Sequence, residues 1–391
     1  MSRPLRILMM CPQFRPLVGG YERAAERLSK GLVARGQQVD VLTERRDPSW
    51  PAREDMDGVG VIRVRSIARR GVHGPSAVFS FARFLMRHGH RYDLIHSHQY
   101  GRLAAAAIGY AWLRGVPSLL KITNTGADGI DAALAGSLTE RAFRPIHRRV
   151  SACITTSGRA AEEARLFGIP DSRIHRIPNP LDTDRFRPAQ PEQRLRARAD
   201  LGIGDEFLAV SVSRLSREKN HAMLIDAWER VAARHPEARL AVVGGGPLQD
   251  EIRSRIDGSP AADRIRLVGA VDDPRQWYAA ADLFVLPSVN EGLSNSLMEA
   301  MSCGLPAVST QVSGAEDIFA EADIGRMVEP GDAGAFADAV CASISSEAAL
   351  AESGRAARGY AEGRFAIDRV VDATLALYSK VVEEARAPGS A

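Results

Sequence analysis

Apolar and polar positions along this chain follow two periods. Short aliphatic runs recur between longer stretches whose apolar residues fall at helical spacing. Residues 5–10 read as a first strand, broken by Pro12 and the Gly19–Gly20 pair. Over residues 21–35, Ala24, Ala25, Leu28, Leu32 and Val33 line one face, which predicts a helix ending at Gly36. Residues 39–43, 59–64, 94–96, 118–122 and 152–155 continue the strand series. Strands that alternate with helices predict a parallel sheet covered on both faces.

The rhythm pauses over residues 186–200, where Pro188 and Pro191 precede charge without core residues. This reads as a linker and the first helix of a second unit. Strands are then predicted at 207–213, 239–243, 265–268, 283–286 and 307–309, with helices at 221–234, 248–256, 274–280 and 296–303. The expected architecture is α/β: two doubly wound, Rossmann-like domains facing each other across a cleft. The first spans residues 1–187 and the second 188–366. A terminal helix within 367–391 is expected to pack back on the first domain.

Composition agrees with this picture. At 391 residues, 45% hydrophobic and 25% charged, the chain can fill two cores. The net charge of +3 hides a split, with +13 over residues 1–190 and −10 over 191–391. Such asymmetry points to units with different partners, the basic one suited to anionic lipid, nucleic acid or a phosphorylated substrate. The four cysteines are far apart, so neither a zinc ribbon nor a disulfide framework is indicated and a reducing cytoplasm is expected. The longest apolar run, residues 103–113, is too short to cross a bilayer. No signal peptide is evident at the N-terminus.

The candidate chemistry is concentrated in the second half. The run 287–306 places a polar loop after a buried strand. Ser294 or Asn295 caps a short helix, which Gly304 closes and Pro306 prevents from continuing. Ligands of open α/β sheets bind at such carboxyl ends, and the amides of a helix start can hold a phosphate. Glu291 and Glu299 lie in that loop and helix, where carboxylates suit the vicinal hydroxyls of a sugar and a ribose. As an isolated pair they would read as ordinary acids flanking a helix. Arg214 and Lys219 follow the first strand of the same half and could neutralise a diphosphate; alone, they would read as a solvated pair.

Together, Ser213-Arg214-Leu215 with Glu218-Lys219-Asn220, then Gly244-Gly245-Gly246-Pro247, then Glu291 and Glu299 in an E-x7-E run, resemble the family-4 retaining glycosyltransferases of the GT-B fold. The first half agrees in Pro12 with Gly19-Gly20-Tyr21-Glu22-Arg23, in Asp93-Leu94-Ile95-His96-Ser97-His98, and in Ile177-Pro178-Asn179-Pro180-Leu181-Asp182. The resemblance covers residues 5 to 380. It implies that Glu299 holds the ribose hydroxyls, that Glu291 contacts the transferred sugar, and that Arg214 and Lys219 stabilise the departing diphosphate. It also implies amide contacts from Leu293, Ser294, Asn295 and Ser296 and a backbone contact from Val271 to the base. Gly19 and Gly20 would let the first-domain loop approach the phosphates without a Cβ.

The implied reaction moves a sugar from a nucleotide-sugar to a saccharide or lipid-linked hydroxyl, with no cofactor or metal and a UDP-sugar slightly favoured. One departure stands out. Many relatives carry a histidine after the fifth strand, where this chain has Asn124. Asparagine can hydrogen-bond a sugar but is no acid, so His98 is the other candidate for that role, against its reading as a structural histidine at a strand end. His96 and His98 without a third ligand make a poor metal site.

Phe81, Phe84, Leu85 and His88 recur at helical spacing beside arginines. That face either rests on an anionic membrane or packs into the core. The expected location is the cytoplasm, with peripheral contact at the inner face of the membrane. Nucleic acid is not expected, because no recognition motif accompanies the charge. No dinucleotide, P-loop or nucleophile-elbow pattern is present. Two alternatives to a transferase are a nucleotide-sugar epimerase of related fold and a non-catalytic nucleotide-sugar binder.

Overall fold

The computed structural model describes residues 3–17, 19–67, 69, 71–123, 125 and 138–387. Contacts divide the chain into two compact units, Met1–Pro180 with Ile367–Ala391, and Leu181–Ala366.

The first unit is built on an eight-stranded sheet. Its strands are β1 (Arg6–Met10), β2 (Gln38–Glu44), β3 (Arg53–Met56), β4 (Val59–Val64), β5 (Leu94–Ser97), β6 (Ser118–Ile122), β7 (Ala152–Thr155) and β8 (Ile174–Arg176). They lie in the order β3-β4-β2-β1-β5-β6-β7-β8. Central strand β1 is buried on both faces over residues 7–10, which is why it reads as a continuous apolar run; β6 is buried along its whole length although it carries Ser118 and Lys121. Edge strand β3 departs from the parallel expectation and pairs antiparallel with β4. Its connection is Asp57–Gly58, with φ of 55° and 84°, a two-residue turn that needs left-handed backbone at both positions.

Helix Gly20–Ala34 packs on this sheet, and the C-terminal helix Ile367–Arg386 packs beside it. A Cβ on Gly31 would lie 2.4 Å from Val371 Cγ2, so only glycine permits this approach. Arg35 pairs with Asp368 at 2.9 Å and with Asp372. Val370, Val371, Leu377, Tyr378, Val381 and Val382 join Met9, Leu28 and Leu32 in one core.

The second unit carries six parallel strands: β9 (Leu208–Val212), β10 (Arg239–Val243), β11 (Ile265–Gly269), β12 (Leu283–Leu286), β13 (Ala307–Thr310) and β14 (Gly325–Val328). Their order is β11-β10-β9-β12-β13-β14, so the direction of winding reverses between β9 and β12. Apolar layers cover both faces, one around Val210, Tyr278, Phe284 and Leu297, the other around Ala209, Trp228 and Val285.

Residues 186–200 are not devoid of core contacts. Phe186 and Ala197 are buried in this unit. Arg198, in the helix Pro191–Leu201, is buried too, donating to the carbonyls of Gly204 (2.8 Å), Ala280 (2.7 Å) and Glu206. An arginine can be buried when carbonyls satisfy its guanidinium, and the hydropathy pattern does not show this.

Candidate functional site

The reversal between β9 and β12 opens a crevice at the carboxyl end of the sheet, where the connections leave in opposite directions. Two loops border it. One follows β9 and carries Arg214 and Lys219; the other follows β12 and carries Glu291. The amide of Val289 donates to the carbonyl of Glu218 at 2.9 Å, joining the two loops.

Lys219 and Glu291 form an ion pair across this join, with side chains 18% and 12% exposed. Ser288, itself fully buried, donates its hydroxyl to Glu291 Oε1 at 3.2 Å. Thr310 on β13 donates to the carbonyls of Leu286 (3.2 Å) and Ser288, tying the loop to the sheet. Glu291 is therefore a fixed acceptor rather than a solvated acid.

Arg214 is exposed and makes no ion pair with any described residue. Its backbone is held by the glycines after β10. A Cβ on Gly244, where φ is +142°, would meet the Ser213 carbonyl at 1.8 Å, and one on Gly246 would meet the Leu215 carbonyl at 2.4 Å. The amide of Leu215 donates to Gly245 O at 3.0 Å and that of Leu248 to Leu215 O at 3.1 Å. The glycine run thus lets the loop after β10 pack on the backbone that flanks Arg214. Ala270, next to Val271, contacts the same run, 3.1 Å from a Cβ on Gly245, and Val271 is half-buried against the core.

Ser294 is the N-cap of the helix Asn295–Ser302, its hydroxyl accepting from the Leu297 amide at 3.4 Å. Leu293 and Ser294 are buried, while Asn295 and Ser296 are half-buried. Glu299 follows on the same helix and is only 3% exposed, which rules out a solvated surface acid. The Tyr278 hydroxyl donates to Glu299 Oε2 at 3.3 Å and reaches the Ser296 carbonyl at 3.4 Å.

Sequence reasoning did not single out Ser288, Tyr278 or His221. The His221 imidazole is buried, 3.0 Å from Ser213 Oγ, and burial lowers its pKa to about 4. Gly314 was missed too: a Cβ there would strike Gly292 O at 2.3 Å, so it lets the helix Ser313–Glu321 abut the Glu291 loop.

In the first unit, Gly19 is the N-cap of the helix that Gly20 begins, and a Cβ on Gly19 would fall 2.4 Å from Glu22 Oε2. His98 is 1% exposed, and its amide donates to Met10 O at 3.0 Å. Burial, then the neighbouring His96 and Lys121, push its pKa well below the ordinary imidazole range. His96 faces the Tyr378 hydroxyl at 2.5 Å. No cluster of three metal-ligating side chains occurs among the described residues. Asn124 lies outside the described residues.

A cavity of about 200 Å³ opens at the same edge of the first unit, lined by Glu44, His73, Phe81, Ser97, Tyr100 and Arg102 among others. His73 Nε2 lies 2.8 Å from Glu44 Oε2. On the helix His73–His88, Phe81, Phe84 and Leu85 are core residues, so of the two readings of that face the structure shows the one that packs into the core. The exposed apolar side chains of this helix are instead Phe79 and Met86, 67% and 68% accessible. Among the described residues no helix is long and apolar enough to cross a membrane.

Comparison with known proteins follows the same division. Residues 19–180 match the family model of the glycosyl transferase 4-like domain, and residues 206–346 that of the glycosyl transferases group 1. A D-inositol 3-phosphate glycosyltransferase of Pseudarthrobacter chlorophenolicus is 30% identical over 362 residues, 87% of this chain and 85% of that protein. One from Catenulispora acidiphila is 29% identical over 424 residues, covering 99% and 97%. The crystal structure of Anabaena HepE in complex with UDP superposes with a TM-score of 0.80 at 21% identity, over 96% of this chain and all of that one, and so shares the fold. The chain belongs to the group 1, family-4 glycosyltransferases and has their GT-B fold.

Proposed function

We propose that this enzyme transfers a sugar from a nucleotide-diphosphate sugar to a hydroxyl acceptor, with retained anomeric configuration and without a metal ion. The observation that carries this reading is the Lys219–Glu291 pair, which joins the loops after β9 and β12 where the winding of the sheet reverses.

In this reading Glu299, oriented by Tyr278, accepts hydrogen bonds from the ribose. The donor exchanges the Lys219–Glu291 pair for two substrate contacts. The diphosphate takes Lys219 and the sugar hydroxyls take Glu291, so neither charge loses its partner. Arg214 and the amides of Leu293 to Ser296 complete the anion site, and the backbone at Val271 meets the base. Gly19 and Gly20 belong to the donor side.

As the bond from C1 to the diphosphate oxygen breaks, negative charge grows on phosphate beside fixed cations. The acceptor oxygen bonds to C1 on the same face, and its proton passes to the diphosphate. Loss of one such stabilising group costs roughly 10²–10³ in rate. UDP is the favoured nucleotide; the UDP complex of the related fold supports this choice. The acceptor, a saccharide or lipid-linked hydroxyl, is assigned to the first unit, with His98 and Asn124 on its side. The setting is polysaccharide, glycolipid or other glycoconjugate biosynthesis, in the cytoplasm and at the inner membrane face.

Thermal shift against UDP, GDP and ADP tests the donor site, because a ligand that binds the folded state raises its melting temperature. One nucleotide family is expected to shift the protein. Glu299→Ala is expected to abolish that shift and turnover together; a Glu299→Ala protein with unchanged turnover refutes the assignment.

A further inference from the structure

Lysine is scarce in this chain: of 51 basic residues only Lys30, Lys121, Lys219 and Lys380 are lysines. Lys30 pairs with Glu26 and Asp57, Lys380 with Glu384, and Lys219 with Glu291. Lys121 differs. It lies near the carboxyl end of β6 and is 2% exposed, with no ion pair or hydrogen bond to any described residue. It shares a strand face with Leu119, which packs in the core beneath the helix Gly20–Ala34.

The groups around it are polar and incompletely paired. Cys11, His96 and His98 feel its charge, and Glu22 faces Cys11. His96 Nε2, His98 Nε2 and Glu22 Oε2 are buried without a hydrogen-bond partner, on residues 0%, 1% and 5% exposed. Burying an ammonium with no counter-ion costs several kcal/mol. At this buried place the arginine-rich chain carries lysine, the basic residue whose charge can be dropped when buried and regained when an anion arrives. Burial, opposed in part by Cys11, lowers the amine from 10.5 to about 8.

We propose that Lys121 binds an anionic oxygen, of a phosphate or carboxylate, that a substrate brings to the carboxyl edge of the first sheet. The identity of that substrate rests on the transferase reading. The anion is either the donor diphosphate or an acidic group on the acceptor.

Four lysines make the test direct. The full chain, labelled with ¹³C at the lysine ε-carbon, gives four NMR signals that single Lys→Arg variants assign. UDP and inorganic phosphate are then titrated separately across a pH series. Lys121 is expected to shift and to protonate at higher pH with UDP if the donor is the source, or with phosphate alone if the anion belongs to the acceptor. A response of Lys219 to UDP, with Lys121 unmoved by either anion, overturns the inference and leaves the donor site standing. Silence of both lysines overturns both.

Lys121→Met, near in shape but uncharged, is expected to melt no lower than the parent and to lose about tenfold or more in affinity for the responding anion, roughly 1.4 kcal/mol or more. Lys121→Arg is expected to restore part of that affinity. Unchanged affinity in a folded Lys121→Met overturns the proposal.

Discussion

At the scale of single residues, the site is held by side chains that never need to touch substrate. Tyr278 is 1% exposed, and its one polar atom is directed at Glu299 and the Ser296 carbonyl. A hydrogen bond to a charged group is worth about 1.5–3 kcal/mol, so removing the hydroxyl leaves the carboxylate less well oriented. Tyr278→Phe keeps the ring that packs against Phe186 and Phe284. Ribose is bound alike before and during the reaction. The variant is therefore expected to raise the donor KM by roughly tenfold with kcat nearly unchanged. Steady-state kinetics at saturating acceptor decides this, and a fall in kcat at constant KM would place Tyr278 in the chemical step instead.

At the scale of elements, helix His73–His88 shows how far a pattern can be read. Its sequence contains no acid, and its apolar residues follow helical spacing on more than one side. Spacing groups Phe81, Phe84 and Leu85 on one face without saying what covers it; these fill the core, while Phe79, Arg83, Met86 and Arg87 meet solvent. If the protein is peripheral, this exposed side is the one that meets the lipid, its arginines matching anionic headgroups. Phe79→Ser with Met86→Ser is expected to abolish sedimentation with anionic vesicles at low salt while leaving the melting temperature unchanged. Retained sedimentation sends the basic helix away from the lipid.

The same limit explains what else was legible. Central strands announced themselves as apolar runs, and the E-x7-E segment carried its own cap in Ser294 and its own stop in Gly304. Strand β3, Arg53–Met56, has no such run, because an edge strand needs no buried face. Lys121 sits within a predicted strand, and nothing local distinguishes a buried lysine from a solvated one. The pairing of Lys219 with Glu291 joins positions far apart in sequence, which no local spacing reveals.

At the scale of the whole molecule, the chain leaves its first unit at Pro180 and returns to it at Ile367. The two passages are stitched together within the second unit, where the Leu181 amide donates to the Phe365 carbonyl at 2.8 Å and Leu181 bridges Ala366. The returning helix completes the first unit rather than decorating it. Six of its side chains are buried in the core beneath Leu28 and Leu32, Gly31 is fitted to Val371, and Tyr378 meets His96. At ~1.5–3 kcal/mol per buried apolar side chain, this helix contributes on the order of 10 kcal/mol, comparable to the stability of a whole domain. Truncation after Ala366 is therefore expected to unfold the first unit, seen as loss of amide-exchange protection in β1, β5 and β6. The second unit keeps both its cores, every strand of its sheet and the pair Lys219–Glu291, so its strands are expected to stay protected and to gain protection when UDP is added. Uniform loss of protection would show that the second unit cannot fold alone. Full protection in β1 would show that the terminal helix is dispensable, and with it the reason the chain returns.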